Sequence, residues 1–451
     1  MAAFIPGGAV GVCEVFDSPL HANGVRALRP VAGGEPVFEE RPLAFLQTIE
    51  NRQCNAICAS CHGFLGGLDL QSGLLTRRVS RQDQQSIAQN GGIVMCCNQC
   101  GELYCSEQCR VEHWHSRGHR LLCTGHLDTT DPLVQFKIHA VQTNEIFLLV
   151  ADIYAVTVDS IERKLEQSVP LEEAVTTSLK PFGGYVRQLW WDAAVAPPGT
   201  DPDHLRSTLQ ALVSESWGLL NPALRLSERG LDAWLGPEYM ARLIGMFEQN
   251  NVGVRGSSPL ATLCSMVSQG SPEATWLAET AEAVAQKMEE EGWEDCGSED
   301  CQSDHGEGEG EADGGEEEGG EGGDDAAMDT ASERWSPENA GSDENVQRLY
   351  AVLSREGIDT VFPPLDGTAF YSLICKINHS CEPNVRVCYP QTESGAPPRP
   401  LTAQLVALRD LVAGEELLQS YIDQDASWDQ RHAALQDYGF ECNCRKCRMQ
   451  E

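Results

Sequence analysis

Apolar and polar positions alternate in short runs at the start of the chain. Residues 10–16 and 35–39 read as strands, and His21-Ala22-Asn23-Gly24 and Ala32-Gly33-Gly34 read as turns. From about 132 to 250 the apolar spacing lengthens to a helical one. Leu133, Phe136 and Ile138 lead into Ile146, Leu149 and Ile153, and Leu205, Leu209, Leu212 and Trp217 continue it, with proline and glycine between. The best apolar stretch, residues 146–158, is short and carries Asp152, so it predicts a buried helix and no membrane span. Residues 288–345 include GEGEGEADGGEEEGGEGGDD, which has almost nothing to bury and predicts a disordered insertion. Strand-like chain resumes near Ala369, runs to Tyr421 and gives way to a short cysteine cluster.

Charge sharpens this outline. The net charge of the 451 residues is −36, but 23 acidic residues against Arg334 alone fall between positions 289 and 344, leaving −14 on the rest. An acidic chain is a poor binder of phosphate backbones, so no direct nucleic-acid partner is expected; basic peptides suit it better. The opening MAAFIPGGAVG lacks the basic start and apolar run of a secretory leader.

Nineteen cysteines in such a chain point to metal rather than to disulfides. The pairs Cys58-x2-Cys61, Cys97-x2-Cys100, Cys105-x3-Cys109 and His119-x3-Cys123 have ligand spacing. A two-residue gap lets a turn aim both thiolates at one ion, and a three-residue gap on a helix sets two ligands one turn apart. Eight such ligands make two closed, structural sites. An interleaved pairing is favoured: Cys58, Cys61, Cys105 and Cys109 on one ion, and Cys97, Cys100, His119 and Cys123 on the other. Cys96 could replace Cys97. A thioredoxin-like redox role needs one pair in a βαβ setting, not four. Cys442, Cys444 and Cys447 are one ligand short of a third tetrahedron.

Tyr104-Cys105-Ser106-x2-Cys109, Trp114 and His119-x3-Cys123 resemble a MYND zinc finger, with a longer gap from Cys61 to Cys97 and two extra residues before His119. Four further segments resemble the SET lysine methyltransferase domain: Asn378-His379-Ser380-Cys381-Glu382-Pro383-Asn384; Gly414-Glu415-Glu416-Leu417 with Ser420-Tyr421-Ile422-Asp423; Tyr438-Gly439-Phe440-Glu441 before the tail cysteines; and His21-Ala22-Asn23-Gly24-Val25 with Gly34-Glu35-Pro36-Val37. Most relatives have a second glycine where Ala22 stands. Together these segments resemble SMYD-type proteins, in which a MYND finger is inserted into a split SET domain, closest to short forms lacking a helical-repeat C-terminal domain. The DYGFECNCRKC ending and the run from Met246 to Asn251 are similar to plant and algal trithorax-related SET proteins.

The resemblance implies an α+β fold, a β-rich SET core split by the finger and a helical insert, with a zinc-bound post-SET tail. It divides the chain into SET residues 1–50, finger 51–125, helical insertion 126–245, core segment 246–287, acidic insertion 288–345, C-terminal core 346–424 and post-SET segment 425–451. It implies that Cys381 is the fourth ligand of the tail cluster, giving three zinc ions in all. The 378–381 segment should thread under the chain near Tyr421. Asn23, Gly24, Asn251, Asn378, His379, Tyr421 and Phe440 are the implied contacts of S-adenosylmethionine, with Phe440 on the adenine. Tyr421 and Tyr438 are the implied catalytic tyrosines of a lysine channel, and Tyr371 is read as core. The implied activity is protein-lysine methylation, on histone tails or other basic proteins, by a monomer resident in nucleus and cytoplasm. A proline-containing peptide is the implied partner of the finger. The alternative function is a zinc-finger adaptor with a weak or silent SET core.

Overall fold

Short strands at the two ends of the chain build the sheets, and helices fill the middle. The computed structural model describes residues 9–449 except 19–21, 77–92, 98–99, 184, 186–187, 198, 251, 268–270, 292–334, 390–400 and 437. The fold is α+β, as the sequence implies.

Strands β1 (Cys13–Ser18) and β2 (Ala22–Ala27) form an antiparallel hairpin with Phe16 opposite Gly24. This corrects two sequence readings. The strand starts at Cys13 rather than at position 10, and Ala22-Asn23-Gly24 is strand rather than turn. Asn and Gly favour turns in isolation, but here pairing with β1 holds them extended. Strand β3 (Pro36–Glu40) pairs with β11 (Ala403–Ala407), which also pairs with β10 (Val385–Cys388). Strand β4 (Ala44–Gln47) pairs with β8 (Leu365–Phe370), which also takes β7 (Val252–Gly256). Both three-stranded sheets therefore join sequence segments more than 200 residues apart, and the finger and helices are inserted between them.

The finger holds the two-residue strands β5 (Val94–Met95) and β6 (Leu103–Tyr104) and helices α1 (Leu68–Leu75), α2 (Glu107–Ser116) and α3 (His119–Leu122). Gly118, at φ +72°, joins α2 to α3, and a Cβ there would lie 2.6 Å from the Ala155 backbone. Only glycine allows both that conformation and that approach.

The helical layer comprises α4 (Pro132–Thr143), α5 (Ile146–Glu166), α6 (Leu171–Leu179), α7 (Pro202–Leu224) and α8 (Pro237–Asn250). Helices α4 and α7 start alike: Asp131 and Asp201 cap the first free N–H groups, and proline follows at the first helical position. The predicted buried helix at 146–158 is the first half of α5, whose Phe147, Leu149, Val150, Ile153, Tyr154 and Val158 are all buried. Among the described residues no helix is long and apolar enough to cross a membrane.

Helices α9 (Pro259–Met266), α10 (Pro272–Glu291) and α11 (Glu344–Glu356) share a separate apolar cluster with Trp335 and Phe362. Residues at both ends of the expected 288–345 insertion thus belong to this unit. Helix α10 runs on to Glu291, and Trp335 stacks edge-on against Tyr350. The acid-rich stretch between them, with Cys296 and Cys301, lies outside the described residues.

Candidate active site and metal centres

Ser106 caps α2 by accepting from the Cys109 N–H, which places Cys105 just ahead of the helix and Cys109 in its first turn. Cys58, Cys61, Cys105 and Cys109 then present four sulfurs within 4.8 Å of one another. Cys61 and Cys105 are 3.6 Å apart, and Cys105 and Cys109 3.5 Å. Four sulfurs about 2.3 Å from one zinc ion stand roughly 3.8 Å apart, so the set fits a closed tetrahedral site.

The second group is Cys96, Cys100, His119 and Cys123. His119 points Nε2 at the Cys100 sulfur, 3.7 Å away. The ring of His113 stacks on that of His119 at 4.8 Å, and its Nδ1 meets the Tyr104 hydroxyl at 2.8 Å. These neighbours fix the orientation of His119, as partners of metal-binding histidines do. Cys97, the residue favoured from spacing, lies outside the mutually close group. Its sulfur sits 3.8 Å from that of Cys123 and accepts from the Cys100 N–H. Adjacent cysteines differ little in sequence terms, and the fold brings the Cys96 sulfur into the mutually close group. Arg52 and Glu102 pair at 2.8 Å and tie the first residues of the finger to the segment just ahead of β6.

The third group joins Cys381 to Cys442, Cys444 and Cys447, with the Cys447 and Cys381 sulfurs 3.6 Å apart. It packs with Leu435 and Ile422 into a small buried cluster of its own. Helix α12 (Trp428–Gln436) and the single turn α13 (Arg445–Arg448) carry the tail around it.

The active-site candidates meet where two chain segments cross. Strand β9 (Asn378–His379) pairs in parallel with β12 (Leu418–Gln419), Asn378 opposite Leu418 and His379 opposite Gln419. Parallel neighbours need a crossover between them, here by way of β10 and β11, and the pairing sets the 378–381 segment beside the strand that leads to Tyr421. Asn384, which the sequence resemblance quoted without a role, locks it. Its buried amide donates to Glu415 and to the Glu416 carbonyl, and accepts from the Leu418 N–H at 2.8 Å.

His379 is buried, and both of its ring nitrogens face groups of the chain itself. Nδ1 accepts from the Tyr421 N–H at 3.0 Å, and Nε2 faces the Cys381 sulfur at 3.2 Å. The imidazole, read from sequence as a group offered to a cofactor, is therefore spent on Tyr421 and Cys381. The Tyr421 hydroxyl donates to the Ile377 carbonyl at 2.7 Å, and the Tyr438 hydroxyl to the Tyr421 carbonyl at 3.2 Å. The Tyr421 and Tyr438 ring centres are 5.3 Å apart, and Phe440 lies 5.8 Å from His379. Tyr438 and Phe440 remain 39% and 38% exposed, so this aromatic group keeps open faces. Burial pushes the Tyr421 phenol well above its ordinary range.

Asn378 donates to the Asn23 carbonyl at 2.7 Å and to Glu416 at 3.0 Å, which fastens the β1–β2 hairpin beside the aromatic group. A Cβ on Gly24 would lie 2.5 Å from Glu416 Oε1 and 3.1 Å from Asn378 Nδ2. Asn23, Gly24, Asn378, His379, Tyr421, Tyr438 and Phe440 thus come together. Asn251 lies outside the described residues, and Tyr371 is core, its hydroxyl donating to Leu401.

The SET domain family model matches residues 22–422, spanning both sides of the finger and the helical layer. The chain belongs to the SET domain family. The SET domain chain is 28% identical over 368 residues to histone-lysine N-methyltransferase ATXR2 of Arabidopsis thaliana, covering 78% of this chain and 62% of that protein. Protein-lysine N-trimethyltransferase SMYD5 of Danio rerio is 33% identical over 109 residues, 23% of this chain and 24% of its own length. N-lysine methyltransferase SMYD2 of Gallus gallus is 37% identical over 86 residues, 19% and 18% respectively. The chain thus spans less than two thirds of each of these relatives. Their names agree with the SMYD-type and trithorax-related resemblance read from the sequence.

Proposed function

We propose that this SET domain chain is an S-adenosylmethionine-dependent protein-lysine N-methyltransferase that acts on basic protein segments, histone tails among them. The observation that carries the reading is the convergence of Tyr421, Tyr438 and Phe440 beside the Asn23–Asn378 contact, at the crossing of β9 and β12.

The residues present fit such a cofactor. Asn23 and Asn378 supply amides for its amino-acid end, Gly24 lets Glu416 and Asn378 close on the hairpin, and Phe440 keeps an open ring face for a flat base. When bound, the cofactor supplies an electrophilic methyl group on a sulfonium. A lysine nitrogen must meet it neutral, although a free lysine titrates at about 10.4. The aromatic walls of Tyr421 and Tyr438 disfavour an ammonium stripped of water and lower that value. Tyr421 stays a neutral phenol, so it is not the base; the proton leaves to solvent. The Tyr421 hydroxyl and the Ile377 carbonyl lie together and can orient the amine lone pair. An acidic chain draws basic substrates. The three donor sets suit zinc, with Cys96 in the second set, and the finger is proposed to dock proline-containing peptides.

The test is transfer of a labelled methyl group from S-adenosylmethionine to histones and to extract proteins, with mass spectrometry of methyl-lysine. Methyl-lysine formed by the wild-type chain and not by Tyr421→Phe supports the reading. No label with any basic substrate, from protein carrying its full metal content, would transfer the function to a zinc-finger adaptor.

A further inference from the structure

Arg431 is only 2% exposed and is among the largest fully buried side chains of the described residues. It stands on α12 one turn before Leu435, which is buried with Cys381 and Cys447. Arginine keeps its charge at any pH a folded protein survives, so a buried one needs anionic or carbonyl partners close by. Here Nη1 donates to the Ala426 carbonyl, and the Cys381 and Cys447 thiols are the charged neighbours that act on the guanidinium.

The partners make sense once a metal is counted. Four thiolates around one divalent ion leave a net charge of about −2 in a buried cluster. Removing such an excess from water is costly unless cations or hydrogen-bond donors face it. Cys381 has donors on two sides. His379 accepts at Nδ1 from Tyr421, so its proton sits at Nε2 and points at the Cys381 sulfur; Arg431 approaches from α12. Cys381 and Cys447 are 66 positions apart in the chain, and Arg431 lies within electrostatic reach of both.

We propose that Arg431 is the charge-balancing partner of a zinc centre formed by Cys381, Cys442, Cys444 and Cys447. Its guanidinium, buried beside Cys381 and Cys447, offsets part of the tetrathiolate charge. It is a positioning residue that acts through the metal site and does not touch substrate. Lysine keeps the positive charge but loses the planar, weakly hydrated guanidinium, so it should replace arginine only in part.

The experiment follows metal, not methylation. Full-length wild type, Arg431→Met and Arg431→Lys are loaded with zinc, and native mass spectrometry counts ions per chain. Zinc release to a chelating dye is then timed, and peptide mapping with N-ethylmaleimide shows which cysteines open. The expected result for Arg431→Met is one zinc equivalent released about 10-fold faster or more, in the range found for outer partners of metal ligands. Label should appear on Cys381, Cys442, Cys444 and Cys447, while the two finger equivalents leave at wild-type rates. Arg431→Lys should fall between, and it carries the test alone if the methionine variant does not fold. Wild-type release in both variants overturns the proposal. So does equal acceleration of all three equivalents, which would mark a general packing role, and so does a wild-type chain that leaves the tail cluster empty.

Discussion

The backbone N–H of Tyr421 donates to His379 Nδ1 across 3.0 Å, and the opposite nitrogen of the same ring faces the Cys381 sulfur. One imidazole thus joins the candidate catalytic tyrosine to the tail metal cluster. His379→Ala should cost about 2–3 kcal/mol, because it leaves a buried N–H without its acceptor and opens a cavity. Urea denaturation would show this. Turnover should fall more than substrate affinity, since Tyr421 loses its backbone anchor while the channel walls remain.

Tyr421→Phe removes the hydroxyl donated to Ile377 and leaves the ring stack. Turnover is expected to drop at least about 100-fold, the scale of losing one well-placed polar group at a reacting centre. Zinc content and cofactor affinity, measured by mass spectrometry and calorimetry, should stay near wild type. Unchanged turnover would take Tyr421 out of its proposed role.

The pH profile follows from the same residue. Burial raises the folded-state pKa of Tyr421 above the unfolded value of about 10. The folded state therefore holds this proton more tightly. Its contribution to stability is complete below pH 10 and declines only as pH climbs beyond that. Methyl transfer should rise with pH as the substrate lysine deprotonates. It should show no falling limb from Tyr421 up to about pH 10, as initial rates across buffers would reveal.

Gly24→Ala places a methyl group 2.5 Å from Glu416 Oε1 and 3.1 Å from Asn378 Nδ2. One of these side chains must move, and both fasten the hairpin. Cofactor affinity should weaken about 10-fold, roughly 1.4 kcal/mol, with little change in melting temperature. Isothermal titration separates this from a folding defect.

Cys442→Ser should weaken the tail metal site without disturbing the finger. Metal analysis should find the ion of the Cys381 cluster lost and two retained. Methyl transfer should fall with it, because Tyr438 and Phe440 lie just ahead of the ligands and share their anchoring. Protease nicking near Tyr438, followed by mass spectrometry, would report the released segment.

Local signals carried much of this protein into the sequence. The x2 and x3 spacings announced metal, because ligand geometry depends on only a few intervening residues. The apolar period at 146–158 announced a buried helix, and the Asp131-Pro132 and Asp201-Pro202 pairs mark helix starts by short-range capping alone. The motif around Asn378 gave the family resemblance, and with it the expectation that Cys381 meets the tail.

Tertiary structure decided the rest. Ala22-Asn23-Gly24 is strand because β1 pairs with it, which outweighs the turn preference of Asn and Gly. Cys96 rather than Cys97 lies in the mutually close group with Cys100, His119 and Cys123, a choice between adjacent residues that spacing alone leaves open. His379 serves Tyr421 and Cys381 through contacts between segments distant in sequence. A periodic pattern records which face of an element is buried; it does not record what that face meets. That is settled only when a pairing such as β9 with β12 brings the partners within a hydrogen bond of one another.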